Sequence, residues 1–230
     1  MLPPTALPKY IEVSERLARE VQAGRLREGE KLPPEREMAE GLGIAVGTLR
    51  KALDQLVDQG MVERLHGSGN YIKKPPQLSN IYAFFRLEMP QGGGFPTASV
   101  LDVTRLAKPA DLPKFGASDH AHRIRRLRAL DGQVAALEEI WLDGSVADEV
   151  TPSDLSDSLY LFYRQRLGLT ITRIEDRARI ASAPDWGGDK IAMPNTLNLI
   201  ERLSWAADPH PIEFSRSYLH PDRAVYVARS

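Results

Sequence analysis

Two groups of side chains have types and a spacing that could do chemistry. The first includes Arg50 and Lys51, near the start of a helical pattern, with Thr48 beside them. An arginine placed there can grip O6 and N7 of guanine bidentately, and a threonine can meet a phosphate or a thymine methyl. Further on, Gly67 and Gly69 flank Ser68 in a hairpin turn. Without side chains, those glycines let backbone amides approach a phosphate closely. The second group is Arg126 and Arg128. Two residues apart in an extended chain, they point to one face, so two guanidinium forks can converge on a carboxylate or phosphate while Arg125 points the other way. Plainer alternatives stand beside both readings: an ordinary charged helix and hairpin for the first, and solvated cross-strand partners of acids such as Glu138 for the second.

The elements that must hold the first group are three helices and a hairpin. Tyr10, Val13, Leu17 and Val21 recur at helical spacing from Lys9, and Gly24 stands where a left-handed C-cap would end that helix. Pro33 and Pro34 bar its continuation, and Glu35, Arg36 and Glu37 open a short second helix with acids near its positive end. Leu42, Gly43 and Ile44 make the turn. From Gly47 onward, Leu49, Ala52, Leu53, Leu56 and Val57 form one apolar stripe and leave Thr48, Arg50, Lys51, Asp54 and Gln55 outward. After Gly60, strands over Met61 to Leu65 and Asn70 to Lys73 join through His66, Gly67, Ser68 and Gly69. This order is that of a winged helix-turn-helix, which sets its third helix in the major groove of double-stranded DNA while the wing follows the backbone.

The rest of the chain carries a different pattern. Lys73, Lys74, Pro75, Pro76 and Gln77 are basic and proline-rich, which predicts a winged helix over 1–74, a linker over 75–80 and a second domain over 81–230. There a hairpin runs from His122 to Leu130, turns at Asp131 and Gly132, and returns from Gln133 to Leu142. A helix is predicted over Leu155 to Leu167, with Leu159, Phe162 and Tyr163 on one side and Gly168 as its stop. Further strands fall at Thr170 to Ala181, Leu197 to Trp205, Ile212 to Leu219 and Ala224 to Arg229, with a second turn at Asp208, Pro209 and His210. The class is α+β: an antiparallel sheet with helices on one face, behind the helical module.

Composition narrows the classes. With 42% hydrophobic and 27% charged residues among 230, the chain can bury a core, and no apolar run reaches the length of a membrane span. Its start, MLPPTALPKY, lacks the pattern of an export signal, and the absence of cysteine removes disulfides and thiolate metal sites and fits a reducing cytoplasm. Charge is balanced at −1, with 12 basic against 11 acidic residues up to position 75 and 18 against 20 beyond it, so any nucleic-acid contact must be local. His120 and His122 alternate onto one face, but no further ligands stand at a useful spacing, and neither metal nor cofactor is expected. Trp141, Trp186 and Trp205 read as core or interface anchors.

At this point the residues resemble a known family. The run from Tyr10 to Ile72, with Gly24, Gly29, Leu32-Pro33-Pro34-Glu35-Arg36, Leu42-Gly43-Ile44, Thr48-Leu49-Arg50, Ala52-Leu53, Gly60 and Gly67-Ser68-Gly69, is similar to the GntR-type winged helix of bacterial transcription regulators. The resemblance implies that Arg36, Thr48, Arg50 and the wing residues His66, Gly67, Ser68 and Gly69 contact operator DNA. Three positions depart from the family pattern: Pro34, Ala45 and Val46 stand where a serine, a serine and an arginine are usual. Both helices therefore lack a serine cap, and Val46 has nothing to donate to a base or phosphate, which puts the family's GT and AC operator ends in doubt.

The second domain resembles the effector-binding UTRA domain of the HutC subfamily, of chorismate-lyase-like fold. The likeness rests on Arg126-Leu127-Arg128, the Asp131-Gly132 turn, Ala136-Leu137-Glu138, Ser158-Leu159-Tyr160 and Pro211-Ile212-Glu213-Phe214. It implies a small, often anionic effector. Thr97 and Ser99, in a loop from Gly92 that precedes a strand, would bind its anionic head, Arg126 and Arg128 would clamp it, and Glu138 and Glu213 would take hydroxyl or amine groups. Tyr160 completes that set. The implied protein is a homodimeric, ligand-responsive repressor without catalytic activity. A chorismate-lyase-like enzyme on a DNA tether and an architectural DNA-binding protein stand as alternatives.

Overall fold

The computed structural model describes residues 8–22, 25–73, 84–187 and 194–228. They divide into two compact units between Phe85 and Arg86. Gly24 and the expected linker at 75–80 lie outside the described residues. No described helix is long and apolar enough to cross a membrane.

The first unit is built from α1 (Lys9–Gln22), α2 (Glu35–Gly41), α3 (Val46–Asp58) and a hairpin of β1 (Val62–Leu65) and β2 (Gly69–Ile72). Its core gathers Val13 and Leu17 of α1, Ala39 of α2, Leu49, Ala52, Leu53 and Leu56 of α3, and Val62 and Ile72 of the hairpin. These are the inward positions that the helical period demands. A buried polar contact pins α1 to α3, because Ser14 Oγ donates to Gln55 Oε1 at 2.7 Å. Gln55 is thus not outward as expected; it serves the α1–α3 seam. Val57 leaves the expected stripe and is 36% exposed, since it stands about 100° round the helix from Leu56. Lys31 adds a bridge to Tyr71, giving the wing a third short member.

The second unit is a six-stranded antiparallel sheet in the order β4-β5-β6-β9-β8-β7. Its strands are β4 (Pro96–Ala107), β5 (His120–Leu130), β6 (Gln133–Asp143), β7 (Arg173–Ala181), β8 (Leu197–Trp205) and β9 (Glu213–Leu219). A two-stranded piece pairs β3 (Leu87–Glu88) with β10 (Val225–Tyr226), so among the described residues the strand expected from Ala224 covers two positions, and Arg229, its expected end, lies outside them. The β5–β6 turn has positive φ at both Asp131 (46°) and Gly132 (80°), the geometry that matches strand twist.

One helix covers one face. α4 (Leu159–Arg166) begins later than the expected Leu155, because Pro152–Asp154 forms a separate 3-10 turn and Ser158 caps the helix by accepting from Leu161 N. Register sorts the residues: Ile124, Arg126 and Arg128 share the α4 face with Glu138, Ile140 and Glu213, whereas Arg123, Arg125 and Trp141 face the other way. On that other face Phe115, Ala121, Trp141 and Phe214 form a small core.

Candidate functional site

In the first unit, the positions singled out by sequence lie on the surface. Arg36, Arg50, Lys51, His66, Gly67 and Ser68 are exposed, and Thr48 and Gly69 are half-buried. Thr48 is held at the third position of α3 with its backbone N donating to Ala45 O at 2.9 Å. Arg50 Nε donates to Glu35 Oε2 at 2.6 Å, which links α3 to the first turn of α2. That hydrogen bond and the charge of Glu35 raise the Arg50 pKa, and the two Nη groups are left for another acceptor. The missing caps are real: neither Pro34 before α2 nor Ala45 before α3 makes a side-chain cap hydrogen bond. Val46 is half-buried and packs on the core.

The wing contains two residues that the sequence reading passed over. Tyr71 Oη lies 2.8 Å from Ser68 Oγ, and Lys31 Nζ stands 5.9 Å from the Tyr71 ring centre. They brace the tip around Gly67, whose φ of 73° suits only glycine without strain. A signal existed in Tyr71, an aromatic residue three positions after the turn serine.

In the second unit the charges are buried. Arg126 is 6% exposed, Arg128 2%, Glu138 5% and Glu213 2%. Both guanidinium groups close on one carboxylate: Arg126 Nε donates to Glu138 Oε2, and Arg128 donates from Nε to Oε1 at 3.1 Å and from Nη2 to Oε2 at 3.2 Å. Arg128 Nη1 donates to the carbonyl of Asp157 at 3.0 Å. Arg126 Nη1, by contrast, is buried with no hydrogen-bond partner. Burial works to raise the Glu138 pKa, but the two guanidinium groups outweigh it and hold the carboxyl at about 2. Burial pulls the Arg126 pKa down, against the pull of Glu138.

A second polar cluster sits beneath α4. Glu213 accepts from Tyr163 Oη and, at 2.8 Å, from Ser204 Oγ; Tyr160 Oη lies 3.1 Å from the same serine oxygen. Burial pushes the Glu213 carboxyl up. Burial, with Glu213 beside it, takes Tyr160 to about 12 and lifts Tyr163 well above its ordinary value, so both phenols remain donors. Next to them Arg202 grips Asp176 with two bonds, 2.6 and 2.8 Å, and Tyr226 Oη also donates to Asp176.

Several expectations need correction. Arg126 and Arg128 do pair with Glu138, but buried, not as solvated cross-strand partners. Glu138 and Glu213 spend both oxygens on internal donors, so a ligand can use only their remaining lone pairs. Thr97 and Ser99 are not in a loop: β4 already starts at Pro96. Their partners are Ala129 and Leu127, so their side chains lie on the face away from Arg126 and Arg128. The residue whose main chain does meet the arginine side is Ala98, whose N donates to Asp157 Oδ1 at 2.7 Å. Arg125 behaves as expected, pairing with Glu139 and lying 4.9 Å from the Trp186 ring. The sequence reading missed Asp157, Tyr163, Arg202 and Ser204 as polar members. Arg202 and Ser204 carried a signal in their alternation along a predicted strand.

His122 is buried with Nε2 2.9 Å from the carbonyl of Ala147, while His120 is exposed and pairs with Asp119. No cluster that could hold a metal ion occurs among the described residues.

Comparison with known proteins assigns both units. Residues 9–72 match the gntR family of bacterial regulatory proteins, and residues 91–224 match the UTRA domain. The chain belongs to the GntR family and carries a UTRA domain. It is 52% identical over 226 residues to the HTH-type transcriptional regulator SmoD of Agrobacterium fabrum, covering 97% of each chain. It is 25% identical to the HTH-type transcriptional repressor NagR of Bacillus subtilis, covering 96% of this chain and 94% of the relative. The crystal structure of YydK from Bacillus subtilis shares the fold, with a TM-score of 0.55 at 16% identity and coverage of 97% and 100%. This GntR-family protein is therefore a DNA-binding transcription regulator whose UTRA domain makes it ligand-responsive.

Proposed function

We propose that the protein is a homodimeric repressor of the cytoplasm, without catalytic activity, whose operator affinity is changed by a small anionic metabolite bound beneath α4. The observation that carries the effector reading is Arg126 Nη1, a buried guanidinium donor with no partner. A buried donor left unmade costs about 1–3 kcal/mol, more for a charged group, unless something supplies the acceptor. An oxyanion supplies it and also offsets the excess of two guanidinium groups over the single carboxylate between them. Every oxygen of Glu138 and Glu213 already accepts from a donor of the fold, and Glu138 is held as a carboxylate between two guanidinium groups, which supports a binding role.

On the DNA side we assign Arg50 and Lys51 to the major groove, Thr48 and Arg36 to phosphates or base edges, and His66, Gly67, Ser68 and Gly69 to the backbone. The exposure of all of these but the half-buried Thr48 and Gly69, on α2, α3 and the wing, supports this. Dimerisation follows from information content: one winged helix reads few base pairs, and two-fold proteins match two-fold operators. The repressor reading is supported by the NagR relative, an HTH-type transcriptional repressor. Residues 75–80 act as the linker in this reading.

The test is a paired melt and operator titration over sugar phosphates, amino-acid derivatives and carboxylates. An anionic compound should raise the melting temperature and change operator affinity through a coupling of about 1–3 kcal/mol. Arg126→Ala should abolish both responses and leave ligand-free operator binding intact. A neutral compound that gives the full response in both proteins would sink the anion reading.

A further inference from the structure

We propose that Asp157 is an internal occupant of the effector site, whose carboxylate holds the place that an oxyanion head group of the ligand must take over. The inference rests on the reading of the Arg126–Arg128 face as the effector site and concerns how that site is kept when empty.

Asp157 directly precedes Ser158, the cap of α4. Its carboxylate accepts from Ala98 N at 2.7 Å, and its own carbonyl accepts from Arg128 Nη1 at 3.0 Å. Ala98 and Arg128 are direct partners in the β4–β5 ladder, so Asp157 bridges the two strands on the arginine side. The next row of the same face holds Val100 opposite Arg126, about 7 Å along the strands. There the open donor, Arg126 Nη1, waits without a partner. Asp157 therefore meets two donors with two different groups, its carboxylate on the edge amide of Ala98 and its carbonyl on Arg128, and leaves Arg126 Nη1 unmet.

The electrostatics give a reason for that arrangement. Two buried guanidinium groups share only Glu138, and the first turn of α4 adds the positive end of a helix. β4 is an edge strand, so its outward amides need acceptors from outside the sheet. An aspartate at position 157 meets both needs. A ligand oxyanion drawn to Arg126 Nη1 and Arg128 would bring a second negative charge beside the residue whose carbonyl already meets Arg128, and the repulsion between it and the Asp157 carboxylate makes Asp157 yield. Because it leads into α4, its movement acts on the helix that places Tyr160 on Ser204 and Tyr163 on Glu213. Ligand entry is thus coupled to the helix that roofs the site, and affinity for the anion is set partly by how readily Asp157 leaves.

The experiment uses the full chain and two probes, inorganic phosphate and sulfate, titrated calorimetrically at constant ionic strength. Asp157→Ala should bind phosphate about tenfold more tightly than the parent, because a charge-assisted competitor has gone. Asp157→Asn keeps the hydrogen bond to Ala98 without the charge, should show a smaller gain in the same direction, and serves if the alanine variant does not fold. Arg126→Ala should lose binding. If both Asp157 variants bind phosphate as the parent does, or more weakly, Asp157 is no competitor and the proposal falls while the anion site stands. If Arg126→Ala binds as the parent does, or if no protein in the set binds either probe, the anion-site reading falls and takes the proposal with it.

Discussion

The two units place their arginines differently. The winged-helix unit buries Ser14 and Glu15 beside its apolar cluster but carries Arg36, Arg50 and Lys51 on the surface, where Arg50 meets one half-exposed acid. The UTRA unit buries Arg126 and Arg128 in its sheet face against Glu138, and half-buries Arg202 against Asp176. On the function proposed above, the difference follows from what each unit recognises, DNA for the first and a small anion for the second. A DNA duplex is large and already hydrated, so its readers can wait in water at little cost to the fold. A small anion offers few atoms, and its binding energy must come from donors held in a site of low dielectric, where they are strong but must be offset when empty. The readers of the first unit are separable from its stability; those of the second are part of it.

The largest effect should come from breaking the offset. Glu138→Gln leaves two buried guanidinium groups without their shared carboxylate, and removing one partner of a buried pair costs about 3–5 kcal/mol. The readout is selective, since all three tryptophans, Trp141, Trp186 and Trp205, lie in the UTRA unit. Tryptophan emission during urea unfolding should shift strongly to lower denaturant. The pH dependence has a defined sign. The folded carboxyl at about 2 lies below its ordinary 4.5, so its contribution is complete above about pH 4.5 and is lost as pH falls toward 2. The parent should weaken over that window more steeply than Glu138→Gln. A variant as stable as the parent would mean that the sheet face admits water and that the contrast between the units is overstated.

Arg50→Ala probes the other side. Its guanidinium is bonded to Glu35 in the open, and exposed pairs contribute little to stability. The melt should stay in place while specific operator binding weakens about 5- to 100-fold at fixed salt. Loss of affinity for every sequence alike, with a salt slope lower by about 1, would reassign Arg50 from a base to a phosphate. Loss of fold would undo the claim that readers and stability are separable here.

The same contrast explains what the sequence made legible. The winged helix rests on local signals: the period of Leu49, Ala52, Leu53 and Leu56, the prolines before Glu35, and the glycines around Ser68. Each acts within a turn or two, so the order of elements could be read directly. The β5–β6 hairpin was legible for the same reason, through Asp131 and Gly132. The proposed effector face was legible only in part. Alternation put Arg126 and Arg128 together, but the side to which Thr97 and Ser99 turn depends on where β4 pairs with β5, a register set by residues more than 25 positions away. The grip of Arg202 on Asp176 spans a similar distance across β7 and β8. Asp157 fell inside the helix expected from Leu155, and nothing local says that Ala98 N lies beside it.

The smallest effect expected tests whether the first unit has slack that the second lacks. Ala45 takes the extended backbone of a helix cap, with φ −70° and ψ 143°, yet its side chain caps nothing. Serine at that position places Oγ within reach of the Gly47 and Thr48 amides, the second and third of α3, without changing the backbone. Such a cap contributes about 1 kcal/mol. Ala45→Ser should therefore raise the stability of the winged-helix unit by that amount, read from helical circular dichroism, because α1, α2 and α3 hold most of the helix among the described residues. Tryptophan emission should not move, since that signal belongs to the UTRA unit. If the cap instead stabilises both signals together, the two units unfold as one, and Arg50 and Glu138 no longer report on separate bodies. If it stabilises neither, water already satisfies those amides, and the alanine at 45 costs the α3 terminus nothing.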